Sequence, residues 1–457
     1  LNGLRTVHPE LLIVGNTNRI FGISLGCAKN LVDSEHMLGI LQENNHELVS
    51  SIADAQIVVI NTCGFIQEAV EESIDAILEA VRLKTEKGLS KILVTGCFVQ
   101  RYGYKLMTEI PEVDGWLGTG EFERIGEIVA NSSENNPVFY IGRPNYLANH
   151  QIPRVRSTPF YSAYLKIAEG CLRQCSFCMI PKLRGPLRSR TVGSLIAEAQ
   201  AMASDGVKEI NLVAQDTTAY GMDLTPPRNL EFLLEELLKI EGLQWIRLLY
   251  CHPKGITPGL LDLMDSEEGL CPYIDIPLQH INRDILMSMG RGDCKEDPWE
   301  LIGRIRSKSR RISLRTTLMV GFPGETDQIF EELLQFVKAA EFDHLGTFVY
   351  SPEKGTAAGK LRETVGRSEA ERRRDTIMAL QGRISEQGRR NMIGKVEPVL
   401  IEGASAETDL LLKGRTSTMA PDIDGQVLIT KGTAMVGEIM PVLIKEAYSY
   451  DLVGELL

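Results

Sequence analysis

The sequence predicts an α/β protein in three parts: an N-terminal parallel α/β domain over 1–155, a partial (β/α)6 barrel over 156–390, and a small antiparallel β-barrel over 391–457. Three observations predict it. The chain has 457 residues, more than one hydrophobic core usually serves, so about three domains are expected. Apolar runs alternate with segments of helical periodicity through the first two thirds, tightening into a repeated strand and helix unit in the middle. After Asn391 the helical period stops, and short alternating strands separated by Gly and Asp turns take over.

In the first part, IFGISLGCAKN, DAQIVVINTCGF and SKILVTGCFVQ read as strands, with helical segments such as QEAVEESIDAILEAV between them. That alternation is the pattern of a parallel sheet. Each of the three strands ends in a cysteine, Cys27, Cys63 or Cys97, with Gly26, Gly64 or Gly96 beside it. Taken singly, a cysteine reads equally well as a buried apolar residue. In open α/β sheets, however, ligands collect beyond the carboxyl ends of the strands, so three cysteines at equivalent ends point to one shared site.

The middle part holds six strand and helix units. Its strands are AYLKIAEG, VKEINLVAQD, WIRLLY, YIDIPLQ, SLRTTLMVGF and HLGTFVYS, too few for the closed eight-unit barrel. The loop EGCLRQCSFCMIP follows the first strand and carries Cys171, Cys175 and Cys178 without a fourth cysteine. A structural zinc site needs four ligands, and a fourth would have to come from His252 or His280. Three thiolates are otherwise enough for a four-iron four-sulfur cluster whose last iron stays open to a small molecule.

Function in such barrels sits at the C-terminal mouth, where this loop lies. Candidate cofactor contacts there are Phe177, just before the last cysteine; Gln215, with Asp216, ending the second strand; Asp275 in the fourth; and Gly321 and Glu325 in VGFPGE, leaving the fifth. GFPGET lacks the lysine of a phosphate-binding loop. It also reads as a plain turn that places Glu325 or Thr326 at a helix N-terminus. Cys251, Cys271 and Cys294 belong to neither triad and read as buried thiols. His280 reads as a satisfied polar residue beside the site.

The basic segment from Arg367 to Asn391 reads as a linker helix leading out of the barrel. Beyond it, VEPVLIEG, DLLLKGRT, GQVLIT and MPVLIKEA give the small β-barrel. From Asn391 onward there are ten acidic and five basic residues, and the whole chain carries a net charge of -12. Phosphate binding is driven by Lys and Arg, so this balance disfavours direct tRNA binding and suits a basic protein partner; charges that merely solvate the domain are the alternative. No apolar run approaches the ~18 residues of a membrane span. The nine cysteines, odd in number and scattered, fit a reducing compartment, so a cytoplasmic protein is expected.

The Cys-x-x-x-Cys-x-x-Cys spacing after a first barrel strand resembles the radical S-adenosylmethionine superfamily. The resemblance implies that Cys171, Cys175 and Cys178 hold a 4Fe-4S cluster. S-adenosyl-L-methionine would chelate the open iron and be cleaved to a 5'-deoxyadenosyl radical by an electron from an external donor. Preceded by an α/β domain with three strand-end cysteines, the arrangement resembles the methylthiotransferases, which replace C–H by C–S–CH3. That implies an auxiliary 4Fe-4S cluster on Cys27, Cys63 and Cys97 holding the sulfur, and a TRAM domain at the C-terminus.

SLGCAKNLVDSE, YIDIPLQH, VGFPGET, YSPEKGTAA, IEGASAETDLLLKGR, APDIDG and YDLVGEL span nearly the whole chain. They resemble the branch that modifies the β-carbon of an aspartate in small-subunit ribosomal protein uS12, met free or on the small ribosomal subunit. The tRNA adenosine branch is the alternative within the family, and a metal-stabilised ribosome-binding factor the alternative outside it. Ala28 stands where the branch usually has Pro, which frees φ in the Cys27 loop but removes no ligand.

Overall fold

The computed structural model describes residues 17–133, 136–292, 296–362, 365–405, 408 and 410–457. Cys294 lies outside the described residues. The first sheet contains β1 (Arg19–Ser24), β2 (Glu47–Leu48), β3 (Ile57–Thr62), β4 (Lys91–Gly96), β5 (Gly115–Leu117) and β6 (Val138–Tyr140), in the order β2-β1-β3-β4-β5-β6. All its pairings are parallel. β3 is buried along its whole length and β4 along nearly all of it, because helices cover both faces. The three strands read from the sequence are the long ones; the other three have two or three residues, too few to show a period.

The second sheet contains β7 (Ser162–Lys166), then, after the separate two-residue pair β8 (Ala168–Glu169) and β9 (Arg188–Ser189), β10 (Glu209–Val213), β11 (Trp245–Leu248), β12 (Leu270–Gln279), β13 (Ser313–Val320) and β14 (His344–Val349). Consecutive strands are neighbours throughout and all are parallel, so the sheet is the open six-stranded partial barrel expected. Alternation along the strands turns Ile210, Leu212, Ile246, Leu248, Ile274 and Leu314 outward under the helices, where they form the largest core.

One expectation is corrected here. The helix Arg367–Arg390 does not simply lead out of the barrel. It lies along the β14 edge and buries Ala370, Arg373, Ile377, Gln381, Ser385 and Arg389, and Gln381 Nε2 donates to the carbonyl of Phe342 at 2.6 Å. Its basic composition hid an inward stripe that is partly polar.

The C-terminal barrel closes in the order β15-β16-β17-β19-β18, from β15 (Val396–Ala404), β16 (Leu412–Thr416), β17 (Val427–Lys431), β18 (Ile439–Ala447) and β19 (Leu452–Leu456). It is not wholly antiparallel, because β17 and β19 run parallel. Directions cannot alternate all the way round a closed ring with an odd number of strands, so the fifth strand, LVGEL, forces one parallel pair. The end of β16 and the segment after it enter the concave side of the partial barrel. There Arg415 reaches Glu209 at 2.6 Å, and Asp424 takes Arg315 at 2.6 Å and the Tyr273 hydroxyl at 2.8 Å. The barrel is thus plugged towards the N-terminal ends of its strands, and the first sheet faces its C-terminal mouth. Among the described residues, no helix is long and apolar enough to cross a membrane.

Candidate metal centres at a domain junction

The three strand ends of the first sheet converge as their spacing predicts. Cys27 caps the helix Ala28–Glu43, its carbonyl accepting from Asn30 N at 2.8 Å and Leu31 N at 3.1 Å. Cys63 directly follows β3, with its backbone N–H bonded to Ser73 Oγ at 3.1 Å. Cys97 opens the helix Cys97–Tyr102 after β4. Asn61, at the end of β3, donates to Asn30 O at 2.8 Å and Ser34 Oγ at 2.9 Å, tying the first two loops together. Gly26 adopts φ +88°, and a Cβ there would lie 2.8 Å from that of Cys63, so only glycine allows the approach.

The thiols of this triad differ. Burial pushes Cys97 up to about 11 even though Arg184 Nε lies 3.3 Å from its sulfur, and burial also raises Cys63. Cys27 is accessible to solvent, yet burial would raise its pKa; Lys29 and Arg184 outweigh that effect and draw it below the ordinary thiol value.

The second triad rests on a loop held from both ends of the partial barrel. Cys171 N donates to Gly185 O at 3.1 Å, Ser176 N to Met289 O at 2.8 Å, and Ala358 N to Ser176 O at 2.8 Å. Backbone N–H groups of Arg173 and Ile180 point at the sulfurs of Cys171 and Cys178, at 3.3 and 3.4 Å. Burial raises all three thiols, Cys171 to about 11 and Cys178 to about 12. A metal group binding here must displace those protons, as thiolate ligation requires. Within each triad the thiols interact electrostatically. Among the described residues, though, no three His, Cys, Asp or Glu side chains converge tightly enough for a single ion.

Between the triads lies a buried ionic cluster. Lys166, at the end of β7, is hydrogen-bonded to both Asp33 and Glu169. Arg184 bonds Asp33 at 2.5 Å, Glu169 at 3.3 Å and Asn30 Oδ1 at 2.8 Å. Two cations face two carboxylates, so the buried charges balance. Burial would raise Glu169, but Lys166 and Arg184 hold it at about 2. A second clasp joins Arg101, just after Cys97, to Glu353 at 2.6 Å. The helix Ala28–Glu43 is therefore polar and buried together, which explains the run of charged residues in KNLVDSE.

The predicted cofactor contacts divide into two groups. Gln215, just beyond β10, sits at the junction, with Nε2 3.4 Å from Glu169 Oε2. Asp275, in β12, accepts from Tyr250 N at 3.0 Å, and burial raises its pKa. Phe177 packs with Ile285, Met289 and Phe322 behind the cysteine loop. Glu325 is already engaged, accepting from Gly321 N at 3.1 Å and pairing with Arg373 at 2.6 Å. Gly321 itself, at φ +76°, lies against Ala370 of the helix Arg367–Arg390. Thr326 caps the next helix as expected, accepting from Ile329 N at 3.3 Å.

Cys251 and Cys271 are fully buried; His280 Nδ1 accepts from Ile281 N at 2.9 Å and Asn282 N at 3.0 Å, but its buried Nε2 lies 3.6 Å from Glu325 without a hydrogen bond, so only one ring nitrogen is satisfied. His252 Nδ1 accepts from Lys254 N at 3.2 Å. Lys29, Asp33, Lys166, Glu169 and Arg184 were not singled out by the sequence reading. Only Lys166 carried a signal, a lysine at an inward position of the apolar strand SAYLK.

Comparison with known proteins agrees with this geometry. Residues 19–118 match the family model "Uncharacterized protein family UPF0004", 165–337 the radical SAM superfamily, and 393–457 the TRAM domain. The chain is 47% identical over 435 residues to ribosomal protein uS12 methylthiotransferase RimO of Pelobacter propionicus, covering 95% of this chain and 97% of that one. It is 48% identical to the protein of the same name in Geobacter sulfurreducens, over 95% and 98% of the two chains. Among solved structures, the radical S-adenosylmethionine methyltransferase TsrM from Kitasatospora setae, with cobalamin and a 4Fe-4S cluster bound, matches with a TM-score of 0.54 at 14% identity. That match covers 75% of this chain and 77% of that one, and the likeness is one of fold.

Proposed function

The chain belongs to the RimO family of ribosomal protein uS12 methylthiotransferases, and from that premise we propose that it replaces C–H by C–SCH3 at the β-carbon of an aspartate in uS12. It is a radical S-adenosylmethionine enzyme, a class that implies a 4Fe-4S cluster and S-adenosylmethionine. Cys171, Cys175 and Cys178 hold that cluster, and Cys27, Cys63 and Cys97 hold a second, auxiliary one. When bound, these groups supply the electron that cleaves S-adenosylmethionine to a 5'-deoxyadenosyl radical, and the sulfur that joins the substrate.

The chain's own residues position the two centres. Lys166 and Arg184 tie Asp33, six residues after Cys27, to Glu169, two residues before Cys171. Arg173 and the buried Arg291 favour the thiolate of Cys175. In this reading Gln215, Asp275 and Phe177 border S-adenosylmethionine. Glu325, held by Arg373, acts with Gly321 by fixing the VGFPGE turn. The electron comes from an external donor, and the enzyme meets uS12 in the cytoplasm, free or on the small ribosomal subunit.

The observation that carries this reading is the pair of cysteine triads fastened across one junction by a balanced buried ionic cluster. Intact mass measurement of uS12, with and without this protein, tests it. The expected gain is about 46 daltons, the difference between SCH3 and H. Methylthio groups found on tRNA alone would overturn the substrate assignment.

A further inference from the structure

Lys29 stands apart from the other cations of the junction. Lys166, Arg184, Arg154 and Arg101 each hold at least one carboxylate. Lys29 is equally buried, 7% exposed, but among the described residues no carboxylate lies within ion-pair distance of it. Its ammonium rests on the face of Tyr250, 3.2 Å from the ring centroid. The Tyr250 side chain, which it also hydrogen-bonds, and the Cys27 thiol are the groups that attract it, and neither is a carboxylate; an ammonium has three donors, so one can still be given to an incoming anion. The natural partner is an anion brought from outside.

The position of that charge is specific. Lys29 lies in the first helical turn after Cys27, the one solvent-exposed cysteine of its triad. Tyr250 follows β11 at the mouth of the partial barrel, and its N–H occupies Asp275 Oδ2 at 3.0 Å. The ammonium is therefore on the seam between the auxiliary triad and the radical site, where a substrate carbon must sit to meet both.

We propose that Lys29 binds the side-chain carboxylate of the substrate aspartate and so places its β-carbon between the two cysteine triads. The proposal rests on uS12 aspartate being the substrate. The carboxylate is one bond from the β-carbon, so gripping it fixes the reacting carbon more firmly than any backbone contact could. It also makes Lys29 the residue that distinguishes aspartate from asparagine.

The test uses the full chain reconstituted with iron and sulfide, and two fluorescent peptides of the modified uS12 loop carrying Asp or Asn at the modified position. Anisotropy titration of the wild type should show the Asp peptide binding about ten- to a hundredfold more tightly, the range of a charge-assisted hydrogen bond. Lys29→Met should remove that preference with iron content and cluster absorbance intact, and Lys29→Arg should keep it. Two results overturn the proposal: an unchanged Asp preference in Lys29→Met, or its loss together with iron, which would assign Lys29 to holding the auxiliary cluster. If wild-type protein leaves whole uS12 unmodified, the substrate reading itself fails, which is a separate measurement.

Discussion

Cys27 and Cys175 show how two thiols of the same chemistry come to differ. Lys29 and Arg184 favour the charged form of Cys27 enough to overcome its burial, whereas burial dominates at Cys175. The cations of the first triad belong to the junction, and those beside Cys175 are Arg291 and Arg173. The two triads are thus separate sites, each with its own electrostatic environment, and substitutions in them should have separable effects. Cys175→Ala is expected to abolish formation of 5'-deoxyadenosine. Cys63→Ala should leave that formation measurable while methylthiolation of uS12 is lost. Chromatography for 5'-deoxyadenosine and mass spectrometry of uS12, run on the same soluble variants, read the two outputs. Equal loss of both in each variant would contradict the division of labour.

At the scale of elements, the helix Ala28–Glu43 carries the junction, because its first two turns put Asp33 and Glu35 onto the partial barrel. Asp33 meets Lys166 and Arg184, and Glu35 meets Arg154 at 2.6 Å. Removing one partner of such a set leaves buried charge uncompensated, at a cost of about 3–5 kcal/mol. Asp33→Asn should therefore lower the thermal midpoint of the full chain by several degrees, whatever the state of the clusters. The same cluster sets an acid limit. Glu169 is held at about 2, below its ordinary 4.5, so its contribution is complete above about pH 4.5 and is lost as pH falls towards 2. Thermal melts across that window should show the wild type losing stability faster than Glu169→Gln, which has no carboxylate there to titrate. The cysteines of these elements were legible in the sequence, since each stood at the end of an apolar run with a glycine beside it. Their ionic supports were not, because Lys166 and Arg184 meet Asp33 across 133 and 151 residues, and pairings that distant leave no periodic trace. The short strands β2, β5 and β6 were missed for want of length, and the helix Arg367–Arg390 was read as a linker because the stripe it buries includes Arg373, Gln381, Ser385 and Arg389.

For the molecule as a whole, the acidity of the C-terminal barrel has two parts, and only one faces outward. Asp424 is held well below the usual carboxylate range by hydrogen bonding with His344 and by the charges of His344 and Arg315, against the opposing effect of burial; it serves the packing of barrel on barrel. Glu402 likewise takes Arg415 at 2.7 Å. Asp422 accepts from the Tyr164 hydroxyl at 3.5 Å and so also serves that packing, whereas Glu446 is exposed to solvent. The barrel is joined to the far end of the partial barrel from the cysteine loop, so any docking it offers acts at a distance from the chemistry. That joint depends on Glu209, fully buried between Arg415, at 2.6 Å, and Arg247, at 3.0 Å. Glu209→Gln keeps the shape of the side chain but leaves two guanidinium groups facing each other in the interior, again a loss of about 3–5 kcal/mol. Because the lost contacts lie at the plug and not at the junction, the variant should release the C-terminal barrel to limited proteolysis near the helix Arg367–Arg390 while still forming 5'-deoxyadenosine. Should the partial barrel instead unfold along with it and cleavage of S-adenosylmethionine vanish, the plug would be part of the catalytic core and not a separable platform. A variant that cleaves S-adenosylmethionine but no longer modifies uS12 would assign the exposed acidic face to substrate capture.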